Sequence, residues 1–179
     1  MKVLIAYGTT EGQTAHIADE LKIKLQSHGA DVEATDLEHG HPDPTAYDRI
    51  VLAGSIHVGK YQKEVDRFIT ENVDLLNKIP SWFIGVSLSE AGGDKPGGHE
   101  AAQAIIDTFV AEHGWRPQGT LSLAGALKYR QYNFLKRMVL KRIAAAQGGD
   151  TDTSRDWEYT DWSAVERLAN EVAATPVGA

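Results

Sequence analysis

Residues 3–14 read Val-Leu-Ile-Ala-Tyr-Gly-Thr-Thr-Glu-Gly-Gln-Thr, an apolar strand that runs into a loop rich in threonine and glycine. A helix is predicted directly after this loop, from Ala15 to His28, because apolar residues recur at every fourth position (Ile17, Leu21 and Leu25). The loop therefore surrounds a helix N-terminus, where backbone N–H groups lack partners and the positive end of the helix dipole faces outward. A phosphate group would be stabilised there. The other interpretation is an ordinary turn whose threonines only cap the helix.

The loop offers hydrogen-bond donors without a positive charge. Its candidate cofactor-binding residues are Thr9, Thr10, Glu11, Gly12, Gln13 and Thr14. None of them is Lys or Arg, and the GxxxxGK[ST] pattern of triphosphate-binding loops is absent. Neutral donors suit the phosphate monoester of a tightly bound cofactor better than a nucleoside triphosphate with its magnesium. The carboxylate of Glu11 would repel a phosphate, so we expect it to point to solvent.

Composition narrows the class of protein. The chain has 179 residues, no cysteine and a net charge of −7. We expect a single domain over residues 1–179, without a disulfide, a thiolate metal site or a cysteine nucleophile. The histidines lack the paired spacing of metal ligands, so no metal site is expected. The negative net charge would repel the phosphates of a nucleic acid, so nucleic acid is not expected as a partner. No signal peptide and no membrane-spanning run is visible, which predicts a cytoplasmic protein.

Strand and helix patterns alternate along the chain. Apolar strand patterns occur at Val3–Tyr7, Asp31–Thr35, Arg49–Gly54, Ser81–Val86 and Thr120–Leu127. Helical patterns occur at Ala15–His28, Lys63–Asn77, Glu100–His113 and Trp162–Ala173, the last of which Thr160 or Asp161 can cap. Apolar strands separated by helices indicate a parallel sheet covered on both faces. This order predicts a flavodoxin-like α/β fold, a three-layer sandwich around a five-stranded, parallel, doubly wound sheet. Only the stretch Glu38–Tyr47, with two prolines, reads as a connection without a full helix.

Ligands bind beyond the carboxyl ends of the strands in such a sheet. Three further loops leave those ends, and their candidate cofactor-binding residues are Ser55, Ile56, His57, Val58 and Gly59, then Ser87, Leu88 and Ser89, then Gly125, Ala126 and Leu127. Glycines such as Gly54 and Gly59 let a backbone approach a flat ligand. A phosphate loop beside three loops of small residues is what flavin mononucleotide (FMN) requires, so FMN is the expected cofactor.

Several motifs resemble those of one family of flavoenzymes. They are the strand, loop and helix of residues 3–21, Gly54-Ser55-Ile56, Ala124-Gly125-Ala126-Leu127-Lys128-Tyr129, Gly148-Gly149-Asp150-Thr151-Asp152-Thr153 and Tyr159-Thr160-Asp161-Trp162. Over nearly its whole length the chain is similar to menaquinone-dependent protoporphyrinogen IX dehydrogenases. The resemblance implies a single-domain FMN enzyme that oxidises protoporphyrinogen IX to protoporphyrin IX in heme biosynthesis, with a quinone as electron acceptor. No side chain is assigned as a catalytic acid or base.

Other functions stay open at this point. A flavodoxin-type electron carrier and an NAD(P)H–quinone reductase would use the same fold and cofactor. A structural or regulatory domain that binds no flavin would keep the fold alone. The sequence also leaves open whether the protein is a homo-oligomer.

A basic segment is the part of the sequence that best distinguishes these candidate functions from one another. From Lys128 to Arg142 the chain has six of its 18 basic residues and no acidic one. We predict a helical insert near the fifth strand, about residues 128–155, after which Asp156–Tyr159 resumes strand pairing. Its candidate substrate or membrane contacts are Lys128, Tyr129, Arg130, Tyr132, Lys136, Arg137 and Lys141. It could make a peripheral membrane contact through residues 128–146, bind the propionates of a tetrapyrrole, or pack on its own domain.

Overall fold

Five parallel strands form the central sheet of the computed structural model, which describes residues 1–56, 59–87, 98–127, 152–154 and 156–176. The strands are β1 (Lys2–Tyr7), β2 (Asp31–Asp36), β3 (Arg49–Ser55), β4 (Ser81–Ser87) and β5 (Gly119–Ala124). Their order is β2-β1-β3-β4-β5, and all four pairings are parallel. The predicted α/β fold with a doubly wound sheet is therefore confirmed.

Four helices cover the two faces of this sheet. They are α1 (Gln13–Ser27), α2 (Lys63–Leu76), α3 (Gly98–Glu112) and α4 (Trp162–Ala174). Helices α1 and α4 contribute to one hydrophobic core, and α2 and α3 contribute to the other. The strands supply both cores because side chains alternate between the two faces. In β1, Val3 and Ile5 pack toward α1 and α4, whereas Leu4 and Ala6 pack toward α2 and α3.

The predicted fifth strand, Thr120–Leu127, is wrong as a single element. Strand β5 ends at Ala124, and the chain leaves the sheet at Gly125. The next two residues form β6 (Ala126–Leu127), which pairs antiparallel with β7 (Trp157–Glu158) in a separate two-stranded sheet. The backbone of Gly125 is shared between the two sheets, since its N–H donates to the Ser87 carbonyl and its own carbonyl accepts from Tyr159. The expected return to strand pairing within Asp156–Tyr159 is confirmed, but in this second sheet.

Two local predictions have a clear outcome. The connection Glu38–Tyr47 contains one 3₁₀ turn, Pro44–Ala46, and no α-helix. Helix α4 is capped by Asp161, whose carboxylate accepts from the N–H groups of Ser163 and Ala164. The hydroxyl of Ser163 donates to the same carboxylate and is the main reason why the pKa of Asp161 lies below its usual value.

None of the helices that the structure describes has the length and apolar character needed to cross a membrane.

The inward face of α1 generates a stability prediction. Leu21 is fully buried in the core shared with α4, whereas Ile23 on the same helix is 58% exposed. Leu21→Ala should lower the free energy of unfolding by about 2–5 kcal/mol, because it removes buried methyl groups and leaves a cavity. The matched control Ile23→Ala should stay within about 0.5 kcal/mol of the parent. Urea denaturation measures both values, and equal losses would contradict the assigned face.

Candidate functional site

Four loops leave the sheet at a single edge. Backbone hydrogen bonds extend the ladders beyond the strand ends and hold the first residues of these loops side by side. They join Gly8 N to Ala53 O at 2.9 Å, Ile56 N to Val86 O at 2.9 Å, and Gly125 N to Ser87 O at 3.1 Å. The edge therefore brings together the carboxyl ends of β1, β3, β4 and β5, and a doubly wound sheet binds its ligands at this edge.

The loop after β1 presents the N-terminus of α1. Gly12 precedes the helix in the left-handed conformation, with φ of 80°, and its N–H donates to the Thr9 hydroxyl at 2.9 Å. The first hydrogen bond of the helix runs from His16 N to the Gly12 carbonyl. The N–H groups of residues 13–15 consequently have no partner within the helix. This is an arrangement of backbone donors that binds an anion.

Two buried hydroxyl groups beside this edge have no hydrogen-bond partner. Thr14, in the first turn of α1, is 1% exposed, and Ser87, the last residue of β4, is 5% exposed. Neither hydroxyl oxygen is paired within the part of the chain that the structure describes. An unpaired buried polar group costs about 1–3 kcal/mol. Thr14 therefore adds a side-chain donor to the backbone donors, and the loop as a whole fits a phosphate.

Gln62 links two of the loops. Its side-chain oxygen accepts from the N–H of Ser55 at 3.0 Å, and its amide nitrogen donates to the hydroxyls of Ser55 at 2.6 Å and Thr10 at 3.1 Å. One side chain thus holds the end of β3 against the loop after β1. The role of Gln62 was not predicted from the sequence, because a lone glutamine between a loop and a helix belongs to no recognisable motif.

The glycines of this edge make room for the protein's own side chains. A Cβ at Gly8 would lie 2.7 Å from Val65 Cγ2, and one at Gly54 would lie 3.0 Å from Tyr61 Cδ1. Gly54 was predicted to let a flat ligand approach, but in the structure Tyr61 occupies the space. Burial raises the pKa of Tyr61, which also packs against Phe83. Gly59, with φ of 76°, has open space where a Cβ would stand.

The side chain of Gln13 is engaged with the segment at and after β7. It is buried at 7% exposure, and its amide nitrogen donates to Glu158 Oε1 at 2.7 Å and to Thr160 Oγ1 at 3.0 Å. The backbone N–H of Gln13 remains one of the donors at the start of α1. Thr10 is exposed, and Glu11, expected to point to solvent, is only partly exposed.

The remaining candidates fall into two groups. Backbone positions of Ile56, Gly125, Ala126 and Leu127 lie at the same edge as the phosphate loop. Other candidates lie outside the described residues: His57, Val58, Leu88 and Ser89 in the ring-contacting loops, and Lys128, Tyr129, Arg130, Tyr132, Lys136, Arg137 and Lys141 in the insert.

The fold and this edge together define a flavodoxin-type domain. The family description "Flavodoxin domain" matches residues 4–154. The fold is similar to that of the Streptococcus pneumonia TIGR4 flavodoxin, with a TM-score of 0.54 over 97% of this chain and 99% of the other, at 17% identity. The chain therefore belongs to the flavodoxin domain family.

Two curated relatives define the group within this family. A protein named protoporphyrinogen IX dehydrogenase [quinone] from Escherichia coli K12 is 33% identical over 174 residues, which are 97% of this chain and 95% of the relative. A protein of the same name from Leishmania major is 31% identical over 98% of this chain and 76% of the relative. The chain is thus a member of the protoporphyrinogen IX dehydrogenase family, and the resemblance seen in its motifs is confirmed.

The three hydrogen bonds of Gln62 generate a prediction about the site. Gln62→Met keeps the length of the side chain but leaves the Ser55 N–H without its acceptor. Hydrogen exchange of that amide should accelerate about tenfold, as expected for the loss of about 1.4 kcal/mol of protection. The matched control is Gln103→Met, since the Gln103 amide also makes two side-chain hydrogen bonds, to Asp107 and Thr120, away from this edge. Unchanged exchange of the Ser55 amide in Gln62→Met would refute the link between the loops.

Proposed function

We propose that this protein is an FMN-dependent oxidoreductase that oxidises protoporphyrinogen IX to protoporphyrin IX with a quinone as electron acceptor. One observation carries the proposal: the 33% identity to the Escherichia coli relative extends over 97% of this chain and 95% of that protein. The relative's name states both the porphyrinogen and the quinone. Similarity to flavodoxins alone would support an electron carrier equally well, because one fold serves many functions.

The phosphate loop supports FMN as the cofactor. The backbone N–H groups of residues 13–15 and the unpaired hydroxyl of Thr14 would donate to the phosphate. The hydroxyl of Thr9 accepts from Gly12 N, so its own hydrogen is available to the same group. No Lys or Arg is present in the loop, and the anion is balanced by neutral donors and the dipole of α1.

The other loops would hold the flavin ring. The first described residues of these loops lie at the edge beside the phosphate loop: Ser55, Ile56, Ser87 and Gly125–Leu127. Gln62 fixes the first of them, so the ring would meet a preorganised backbone. When bound, FMN supplies the redox chemistry, taking up electron pairs from the porphyrinogen and passing them to the quinone.

The overall reaction balances without a catalytic side chain. Protoporphyrinogen IX loses six hydrogens in three two-electron rounds, and three quinones become three hydroquinones. We propose that the described residues at this edge bind and orient the cofactor. We assign no catalytic acid or base.

We also propose that the protein is cytoplasmic. Residues 128–146 would make its contact with the membrane that holds the quinone.

Thr14→Val should separate stability from cofactor binding. The isosteric methyl group removes an unpaired buried hydroxyl, so the free energy of unfolding of the flavin-free protein should stay the same or rise. FMN affinity should fall about tenfold or more, because a hydrogen bond to a charged group contributes about 1.5–3 kcal/mol. Fluorescence titration with FMN and urea denaturation measure the two effects.

The control for this variant is Ser122→Ala. Its hydroxyl is also buried and unpaired, but it lies within β5. FMN affinity should not change in Ser122→Ala. The phosphate assignment fails if Thr14→Val binds FMN as tightly as the parent does.

Anaerobic turnover tests the reaction itself. FMN-loaded protein is mixed with protoporphyrinogen IX, with and without a menaquinone analogue, and porphyrin fluorescence is followed. We expect porphyrin formation that requires the quinone and exceeds the rate with flavin-free protein. FMN binding without such turnover would indicate an electron carrier, and rapid oxidation of NAD(P)H would indicate an NAD(P)H–quinone reductase.

A further inference from the structure

A partly buried polar network joins the first turn of α1 to the second sheet. Gln13 Nε2 lies 2.7 Å from Glu158 Oε1, in β7, and 3.0 Å from Thr160 Oγ1, just after it. Thr160 Oγ1 in turn donates to the Ala124 carbonyl at 2.9 Å, at the end of β5. Gln13 and Thr160 are 7% and 9% exposed. The network therefore connects three separate segments of the chain, with Gln13 and Thr160 buried and Glu158 exposed at its outer end.

Donor and acceptor chemistry fixes the orientation of the Gln13 amide. The single hydrogen of the Thr160 hydroxyl is used on the Ala124 carbonyl, so this hydroxyl can only accept from Gln13. An ionised Glu158 carboxylate can also only accept. Both N–H bonds of the Gln13 amide thus have an acceptor, and a flipped amide would place its oxygen against two acceptors.

Two contacts of His16 extend the network on its outer side. His16, one helical turn after Gln13, has Nδ1 at 3.8 Å from Glu158 Oε1. The His16 ring also packs edge-on against Trp162, the first residue of α4, with the ring centroids 5.0 Å apart. The first turn of α1 is thus held from two sides by the chain that follows β6.

We propose that Gln13 is a positioning residue that couples the phosphate loop to the β6–β7 sheet. Its backbone N–H belongs to the donors at the start of α1, and its side chain serves only the network. The first turn of α1 and β7 then move as one unit, so phosphate binding stabilises the pairing of β6 with β7. By reciprocity, this pairing strengthens phosphate binding by the same factor. The coupling rests on the proposed FMN function.

The first test measures FMN affinity by fluorescence titration of the full chain. Gln13→Met should lower the affinity for FMN about tenfold, because the side-chain amide no longer donates to Glu158 and Thr160. Thr160→Val should also lower the affinity for FMN, by about threefold, although Thr160 lies outside the phosphate loop. The double variant should be no weaker than Gln13→Met alone, because both changes break one network. If the double variant loses FMN affinity by the product of the two single-variant factors, the coupling is overturned.

Two further variants serve as controls. Glu158→Gln keeps an oxygen that accepts from Gln13, so FMN affinity should remain within about twofold of the parent. Glu166→Ala removes the ion pair with Lys24, which also joins α1 to α4 but lies near the opposite end of α1. It should leave FMN affinity unchanged. A loss in Glu166→Ala equal to that in Gln13→Met would show a general effect of α1 packing and would overturn the proposal.

The second test reads the coupling at β7 by hydrogen exchange. The Tyr159 amide, which donates to the Gly125 carbonyl at 3.2 Å, reports on the chain beside β7. FMN should slow its exchange in the parent about tenfold and have little effect in Gln13→Met. Exchange of this amide that ignores FMN in a parent that binds it would overturn the coupling.

Failure of the proposed function would look different. A parent protein that does not bind FMN would remove the cofactor assignment. The network would still be tested in the flavin-free chain, where Gln13→Met and Thr160→Val should both accelerate exchange of the Tyr159 amide. Unchanged exchange in both variants would refute the link to β7 independently of any cofactor.

Discussion

The parallel direction of the five strands is the constraint on which the rest of this structure depends. Parallel strands place all their carboxyl ends at one edge, and each connecting helix returns the chain to the opposite edge. The carboxyl ends of β1, β3, β4 and β5 therefore lie at one edge of the sheet, although these strands are far apart in sequence. The same constraint aims the N-terminus of α1 at this edge, so the backbone N–H groups proposed to bind the phosphate are placed by the fold and not by particular side chains.

Side chains then adapt this edge in two ways. Within the described part of the chain, Thr14 and Ser87 keep buried hydroxyls without partners, which costs stability. Gln62 and Gln13 stabilise this part of the protein, because their side-chain amides form hydrogen bonds that hold neighbouring segments in place. Unpaired donors thus stand in a framework of satisfied hydrogen bonds, which is how a binding site remains preorganised.

Much of the fold could be predicted from the sequence, because it depends on local patterns. Apolar runs such as Val3–Tyr7 identify strands, and the spacing of Ile17, Leu21 and Leu25 identifies the buried face of α1. The break at Gly125 could not be predicted. A glycine within an apolar run is compatible with a continuous strand, and the change of partner depends on the distant pairing of β6 with Trp157–Glu158.

The candidate site shows the same division. The glycine- and threonine-rich loop could be placed at the N-terminus of α1, since strand, loop and helix are consecutive. The role of the Gln13 side chain could not be predicted, because Glu158 and Thr160 are about 145 residues away in sequence. The space beside Gly54 was assigned to a ligand for a related reason: only the folded chain shows that Tyr61 fills it.

A comparison of the affinities for FMN and riboflavin measures directly whether the uncharged donors at the start of α1 bind a phosphate. The two flavins share a ring and differ in the phosphate. If the N–H groups of residues 13–15 and the Thr14 hydroxyl bind that group, FMN should bind at least about a hundredfold more tightly than riboflavin, since two hydrogen bonds to a charged group contribute about 3 kcal/mol or more. Equal affinity for the two flavins would contradict the account.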